Sequence, residues 1–349
     1  MQYQSLTIEN FRGIDRLAVT DLKRVNLLAG RNNCGKTSIL EALFLLSGMS
    51  NPQLPVNIHG FRDLVLTRDE EFSVMFKDLD FAVPITIGGV LEDEQRTLTI
   101  RPLYASYKLR AANKQNLATV EAASASTVAV QIVEGLDLQF QGAGGQSRAR
   151  ISLKEKEVEV QGEYQEKLRC AFLNPVTMMA QIDRRMEELI VQKKLNNLIA
   201  ILQEIDARVS DIRMGAGGKI YMDIGKEKLL PINVMGDGMR RILAIIAAIA
   251  DLRNGVLLID EIENGLHYTS LTVAWKALLA SCQEYQVQLI ATTHSYECIE
   301  ACVQAHAGID LHSDDIRLYR IEHNPQGHRA FAFNAEMLHA GVEKAFEVR

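Results

Sequence analysis

The sequence predicts an α/β protein built on a mainly parallel core sheet, with an antiparallel β subdomain and a short helical insertion. Three stretches carry that reading: a glycine-rich loop between an apolar run and a helix at residues 25–46, an apolar run ending in two acids at 256–261, and an apolar run ending in histidine at 287–294. Short apolar runs without alternation fit strands covered on both faces, the usual condition of a parallel sheet.

The loop Gly30-Arg31-Asn32-Asn33-Cys34-Gly35-Lys36-Thr37 fits the phosphate-binding pattern at every fixed position. Val25–Ala29 before it reads as a buried strand, and Ser38 to Leu46 after it as an amphipathic helix. Two glycines let successive N–H groups point at phosphate, and the helix N-terminus adds partial positive charge. Lys36 is placed to reach the β- and γ-phosphates and Thr37 to ligate Mg²⁺, so the loop from Gly30 to Ser38 calls for a nucleoside triphosphate.

Val256-Leu257-Leu258-Ile259 reads as a central strand delivering Asp260 and Glu261 to the edge where open α/β sheets bind ligands. Asp260 can then share the Mg²⁺ held by Thr37, and Glu261 can polarise the attacking water. The next strand, Val287 to Thr292, delivers His294, whose imidazole can hydrogen-bond a γ-phosphate.

Composition sets the frame. The 349 residues, 47% hydrophobic and 23% charged, suffice for one large α/β domain with an insertion or for two domains. No apolar run approaches the ~20 residues that span a bilayer, and the first residues lack the basic and apolar regions of a signal peptide, so a cytoplasmic protein is expected. Cys34, Cys170, Cys282, Cys298 and Cys302 lack metal-ligand spacing and fit reduced thiols. A net charge of −6 does not suit a chain coating itself with DNA, although a local basic patch leaves nucleic acid open as a partner.

The stretches 72–101 and 127–161 alternate apolar and polar residues and predict antiparallel strands, with Gly142-Ala143-Gly144-Gly145 as a loose turn. From Tyr164 to Arg213 the period turns helical, and Val191, Leu195, Leu198, Leu202, Ile205 and Val209 form a stripe that suits core packing of an insertion or a partner helix. Arg101, Lys108, Arg110 and Lys114, with Tyr104 and Tyr107 between them, fit a solvated loop or a nucleic-acid contact. The division expected is a lobe with the glycine-rich loop and antiparallel strands at 1–162, a helical insertion at 163–219 and a second lobe with the two downstream strand ends at 220–349.

In this order, the motifs resemble the heads of ABC-type ATPases, in the branch that contains SMC proteins, RecF and the OLD-family nucleases. The opening Leu6 to Ile14 looks like the first strand of those heads, whose Asn-Phe-Arg segment, here ending at Arg12, lies near the nucleotide. Ile259 to Tyr268 and Ala291 to Ser295 look closer still to stand-alone ATPases of prokaryotic defence loci. The resemblance covers roughly residues 1–65 and 215–349. It implies ATP and Mg²⁺, a homodimer or higher homo-oligomer, and a nucleotide sandwiched between the loop of one protomer and a signature segment of the other. Ile232 to Arg241 stands where that segment belongs, and Gly236, Asp237 and Gly238 at a helix start would face the γ-phosphate across the interface. The usual signature has serine where this chain has Gly236 and glycine at Asp237. Arg240 or Arg241 could compensate the acid, and an ordinary helix cap with surface arginines is the other reading.

After His294 only 55 residues remain, whereas a TOPRIM nuclease domain needs roughly a hundred. They read instead as strand Ile316–Glu322, a turn at 324–327, strand His328–Phe333 and a helix from Ala335. Asp310, Asp314 and Asp315 fit a polar loop better than a metal site. The expected protein is an ATPase without nuclease activity of its own that controls a separately encoded effector or nuclease, with phage defence as the setting implied by the resemblance. A DNA-repair ATPase and a nucleotide-gated scaffold are the alternatives.

Overall fold

The computed structural model describes residues 1–104, 132–155, 157–309 and 314–343. Strands β1 (Tyr3–Phe11) and β2 (Ile14–Thr20) form a hairpin that turns at Arg12-Gly13. In β1, buried Tyr3, Leu6 and Ile8 alternate with exposed Gln4, Thr7 and Glu9, so one face is core and the other solvent. The buried strand β3 (Val25–Ala29) leads through the glycine-rich loop into α1 (Lys36–Ser47). The expected amphipathic helix differs here: ten of the twelve α1 residues are buried, because it lies between two sheets and has no solvent face.

After α2 (Leu54–Gly60), residues 69–79 fold as two 3₁₀ segments that bury Phe72 and Met75, where the alternation predicted strand. Strands β4 (Ile85–Leu91), β5 (Glu94–Tyr104), β6 (Val133–Gly142), β7 (Gly145–Ser152) and β8 (Glu157–Gln161) extend β1 and β2 into an antiparallel sheet of order β2-β1-β4-β5-β6-β7-β8. The glycine cluster is a tight turn, not a loose one, since Gly142 pairs with Gly145 across two residues. The basic residues Lys108, Arg110 and Lys114, with Tyr107 and the run 128–131, lie outside the described residues.

Residues 163–219 are not helical throughout. They begin with β9 (Cys170–Leu173), which pairs in parallel with a central strand of the core sheet. Helices α3 (Ile182–Val191) and α4 (Leu195–Ile205) follow, broken at Lys193, whose φ is +58°. Leu198 and Leu202 are fully buried while Val191 is 75% exposed, so the predicted stripe is the core face of short helices and not one continuous helix. A small antiparallel sheet, β10 (Asp211–Met214), β11 (Ile220–Asp223) and β12 (Leu230–Pro231), precedes α5 (Asp237–Asp251).

The rest alternates strand and helix: β13 (Val256–Ile259), α6 (Tyr268–Tyr285), β14 (Gln288–Thr292), α7 (Tyr296–Ala307), β15 (Ile316–Asn324), β16 (Gly327–Asn334) and α8 (Ala335–Glu343). The core sheet runs β16-β15-β3-β14-β13-β9, parallel except for β16. It divides two apolar cores. Leu27, Leu257, Ile259 and Leu289 pack toward α5, α6 and α7, with Trp275 at 1% exposure, while Leu28, Leu258 and Ile290 pack toward α1 and the antiparallel sheet. Among the described residues no helix is long and apolar enough to cross a membrane.

Candidate nucleotide site

Because β3, β14 and β13 are parallel neighbours, their C-terminal ends converge on one sheet edge. That edge gathers the glycine-rich loop, Asp260-Glu261 and His294 from segments more than two hundred residues apart. Gly30 has φ +139°, and a Cβ there would stand 2.4 Å from the Ile321 carbonyl oxygen on β15, so only glycine permits the close approach. Gly35, at φ +93°, caps α1 without a side chain and leaves the helix's first N–H groups to an anion.

Lys36 is 5% exposed, and its ammonium donates to the carbonyls of Gly30 at 2.8 Å and Arg31 at 2.9 Å inside the loop. Phosphate oxygens would displace these as acceptors. Burial lowers its pKa, and Cys34, Asp260 and Glu263 oppose that shift. Thr37 Oγ1 donates to Asp260 at 3.0 Å, and Thr292 Oγ1 donates to the same carboxylate at 2.6 Å while accepting from the Glu261 N–H at 2.8 Å. A hydroxyl and a carboxylate at this separation are hard oxygen donors suited to Mg²⁺. Among the described residues no group of three or more His, Cys, Asp and Glu side chains is placed to hold a metal ion.

Glu261 adopts φ +53°, an uncommon conformation for a non-glycine residue, which turns the chain directly after Asp260. It shares a cavity of about 550 Å³ with Arg12, Lys36, Thr37, Ser38, Arg62 and His294, and Asn32, Asn33 and Gly35 line it as well. His294 is exposed, and its backbone N–H donates to the Glu263 carboxylate at 2.7 Å. Arg31 and Cys34 line an adjoining cavity that also reaches His294.

Arg12 sits at the β1–β2 turn. Its Nε donates to Glu41 at 3.1 Å and its Nη1 to the Val74 carbonyl, while Nη2 is buried without a hydrogen-bond partner among the described residues. Glu41 is fully buried and also takes Arg62 Nε at 2.6 Å and Nη2 at 3.1 Å. Glu41, Arg62 and Thr292 escaped the reading of the sequence, as did His323 and His328, which line the same cavity. Glu41 left a signal, as a carboxylate one turn after Thr37 in an otherwise apolar helix; the others left none.

Gly236, Asp237 and Gly238 do not join the cavities around the loop. Gly236 is the N-cap of α5, exposed Asp237 pairs with Arg240 at 3.2 Å, and Gly238 packs on the Gly265 carbonyl and Leu266. Arg241 donates to the Glu261 carbonyl at 3.4 Å. Asp314 forms ion pairs with Lys23 and Arg317, both at 2.7 Å, which fixes it as a structural acid; Asp310 lies outside the described residues.

Two SMC head structures superpose along nearly the full chain. One, an SmcHead bound to the C-winged helix domain of ScpA, gives a TM-score of 0.54 at 11% identity, covering 96% of this chain and 99% of that one. The fold is that of an SMC-type ATPase head. The other, an Smc head with an extended coiled coil bound to the C-terminal domain of ScpA derived from Pyrococcus furiosus, gives 0.50 at 11% identity and covers 99% of each. Residues 1–132 of this chain match the family model "AAA ATPase domain", and residues 130–300 match "AAA domain, putative AbiEii toxin, Type IV TA system". An ATP/GTP phosphatase of Helicobacter pylori is 24% identical over 342 residues, covering 85% of this chain and 86% of that protein. The DNA replication and repair protein RecF of Idiomarina loihiensis is 30% identical over 146 residues, covering 41% of this chain and 36% of RecF.

Proposed function

We propose that this chain binds ATP with Mg²⁺ on the 30–37 loop and hydrolyses it at the interface of two copies, using nucleotide state to control a separate effector. The observation that supports this is the hydrogen-bonded set Thr37–Asp260–Thr292, extended to the Glu261 backbone N–H, which holds together the two residues proposed as Mg²⁺ ligands. Lys36 and the loop N–H groups neutralise phosphate charge, Thr37 and Asp260 hold Mg²⁺, Glu261 orients water, and His294 reports the γ-phosphate. Mg²⁺, when bound, adds charge stabilisation on the phosphates. The reading assigns Gly236, Asp237 and Gly238, at the N-terminus of α5, to the nucleotide of the partner.

The match to the AbiEii-type description supports phage defence as the setting; effector or nuclease chemistry in another chain is part of the proposal. The RecF match supports a DNA-processing ATPase about as well. DNA-stimulated turnover with a steep salt dependence would select the second reading. For the shared core, Glu261→Gln should accumulate bound ATP and persist as a dimer with ATP and Mg²⁺ in light scattering. Unchanged turnover in that variant removes Glu261 from its role, and an unchanged mass with and without nucleotide removes the ATP-gated dimer.

A further inference from the structure

A second cavity, of about 580 Å³, adjoins the phosphate cavity, and Gly13, His323 and His328 line both. Its remaining wall includes Asp15, on β2, and Lys77. His323 and His328 are register partners in the β15–β16 hairpin, and their rings stack at 4.2 Å with 13° between planes. His328 is the inner ring: it is half-buried, and its Nε2 stands 3.5 Å from the Cβ position of Gly35 in the phosphate loop. His323 is the outer, exposed ring, and it lines this cavity and both of the cavities that the loop lines.

We infer that His323 is the stacking platform for the base of a purine nucleoside triphosphate, that His328 is the positioning residue that backs it against the phosphate loop, and that the base lies in the cavity between the hairpin and the β1–β2 turn. This rests on the nucleotide-binding reading above. With Glu261 and His294 at the γ-phosphate end of the ligand, the base end is assigned to the cavity that neither of them lines, beside Gly13 and Asp15. A flat π-face is what a base of any hydrogen-bond pattern can use, and the larger purine gains more from it. Burial and the neighbouring His323 lower the pKa of His328, against Asp15, which keeps the inner ring neutral near pH 7 and compatible with stacking. Asp15 is placed to accept from an amino or ribose hydroxyl group.

The test is calorimetric titration with three ligands in Mg²⁺: ATP, CTP and inorganic tripolyphosphate. His323→Ala should weaken ATP about tenfold, the effect of one base–aromatic stack, leave tripolyphosphate unchanged and narrow the ATP preference over CTP. His323→Phe should restore the ATP affinity, and His328→Ala should give a smaller loss with the same selectivity. Equal affinity for ATP in His323→Ala, or a proportional loss for tripolyphosphate, overturns the assignment. Lys36→Ala separates the two readings, since it should lose both ligands; retention of both sinks the phosphate loop and not the platform alone. If the alanine variants do not fold, the parent protein still decides: ATP should shift the His323 ring resonances in NMR and tripolyphosphate should not, and identical shifts from both overturn the inference.

Discussion

Glu41→Ala should expose how strongly the phosphate cavity depends on one buried acid. The carboxylate is fully buried, receives Arg12 Nε at 3.1 Å, and holds Arg62 through Nε at 2.6 Å and Nη2 at 3.1 Å. Burial lowers the pKa of Arg12 against the pull of Glu41, while at Arg62 burial is outweighed by the hydrogen bond and charge of Glu41 with the charge of Asp260; a guanidinium keeps its proton in a protein. Two unit charges 4 Å apart interact by about 4 kcal/mol at an effective dielectric constant near 20, and desolvation offsets part of that gain. Removing the acid alone leaves two cations facing each other in the cavity wall. Breaking a buried set in this way costs about 3–5 kcal/mol, against a total stability of about 5–15 kcal/mol for a typical fold. Glu41→Gln, which keeps shape and one acceptor, should lose less. ATP with Mg²⁺ should stabilise Glu41→Ala more than the parent, because phosphate then supplies the missing anion. Urea unfolding, with and without ATP, measures both quantities. A loss below about 1 kcal/mol, or equal stabilisation of parent and variant by ATP, refutes the reasoning.

Other outcomes follow from single residues. Lys36→Ala should abolish tight ATP binding while the thermal melt stays near that of the parent; equal affinity in calorimetry would remove Lys36 from the phosphate site. Gly30→Ala should pull the loop off β15, since the new Cβ meets the Ile321 carbonyl at 2.4 Å and φ is +139°, so ATP affinity should collapse and unfolding should ease by about 1–3 kcal/mol. Retained affinity there contradicts the packing. His59 is buried, which depresses its pKa from 6.5 to about 4. The folded protein keeps it neutral and the unfolded chain binds a proton, so stability is complete above pH 6.5 and falls by about 3 kcal/mol as pH drops toward 4. His59→Gln should flatten that acid limb, and an unchanged limb assigns it to other groups.

Local pattern by itself determined the parts of the site that lie within one loop or at one strand end. The spacing of Gly30, Gly35, Lys36 and Thr37 dictates a phosphate loop because glycine geometry and a helix start are local properties, and the uninterrupted apolar runs before Asp260 and His294 mark strands covered on both faces. The C-terminal hairpin was legible for the same reason, from its turn residues and alternation. Tertiary structure decided what depends on neighbours. Cys170–Leu173 is too short to read as a strand until β13 lies beside it, and α1 looks amphipathic until a second sheet covers its polar side. Arg12, Glu41 and Arg62 become one charge set only when the β1–β2 turn packs on α1, and His323 and His328 meet the loop only because β15 pairs with β3. A single sequence records the periodicity of its own elements, but the contact between a side chain and a distant backbone arises only when the sheet order is fixed.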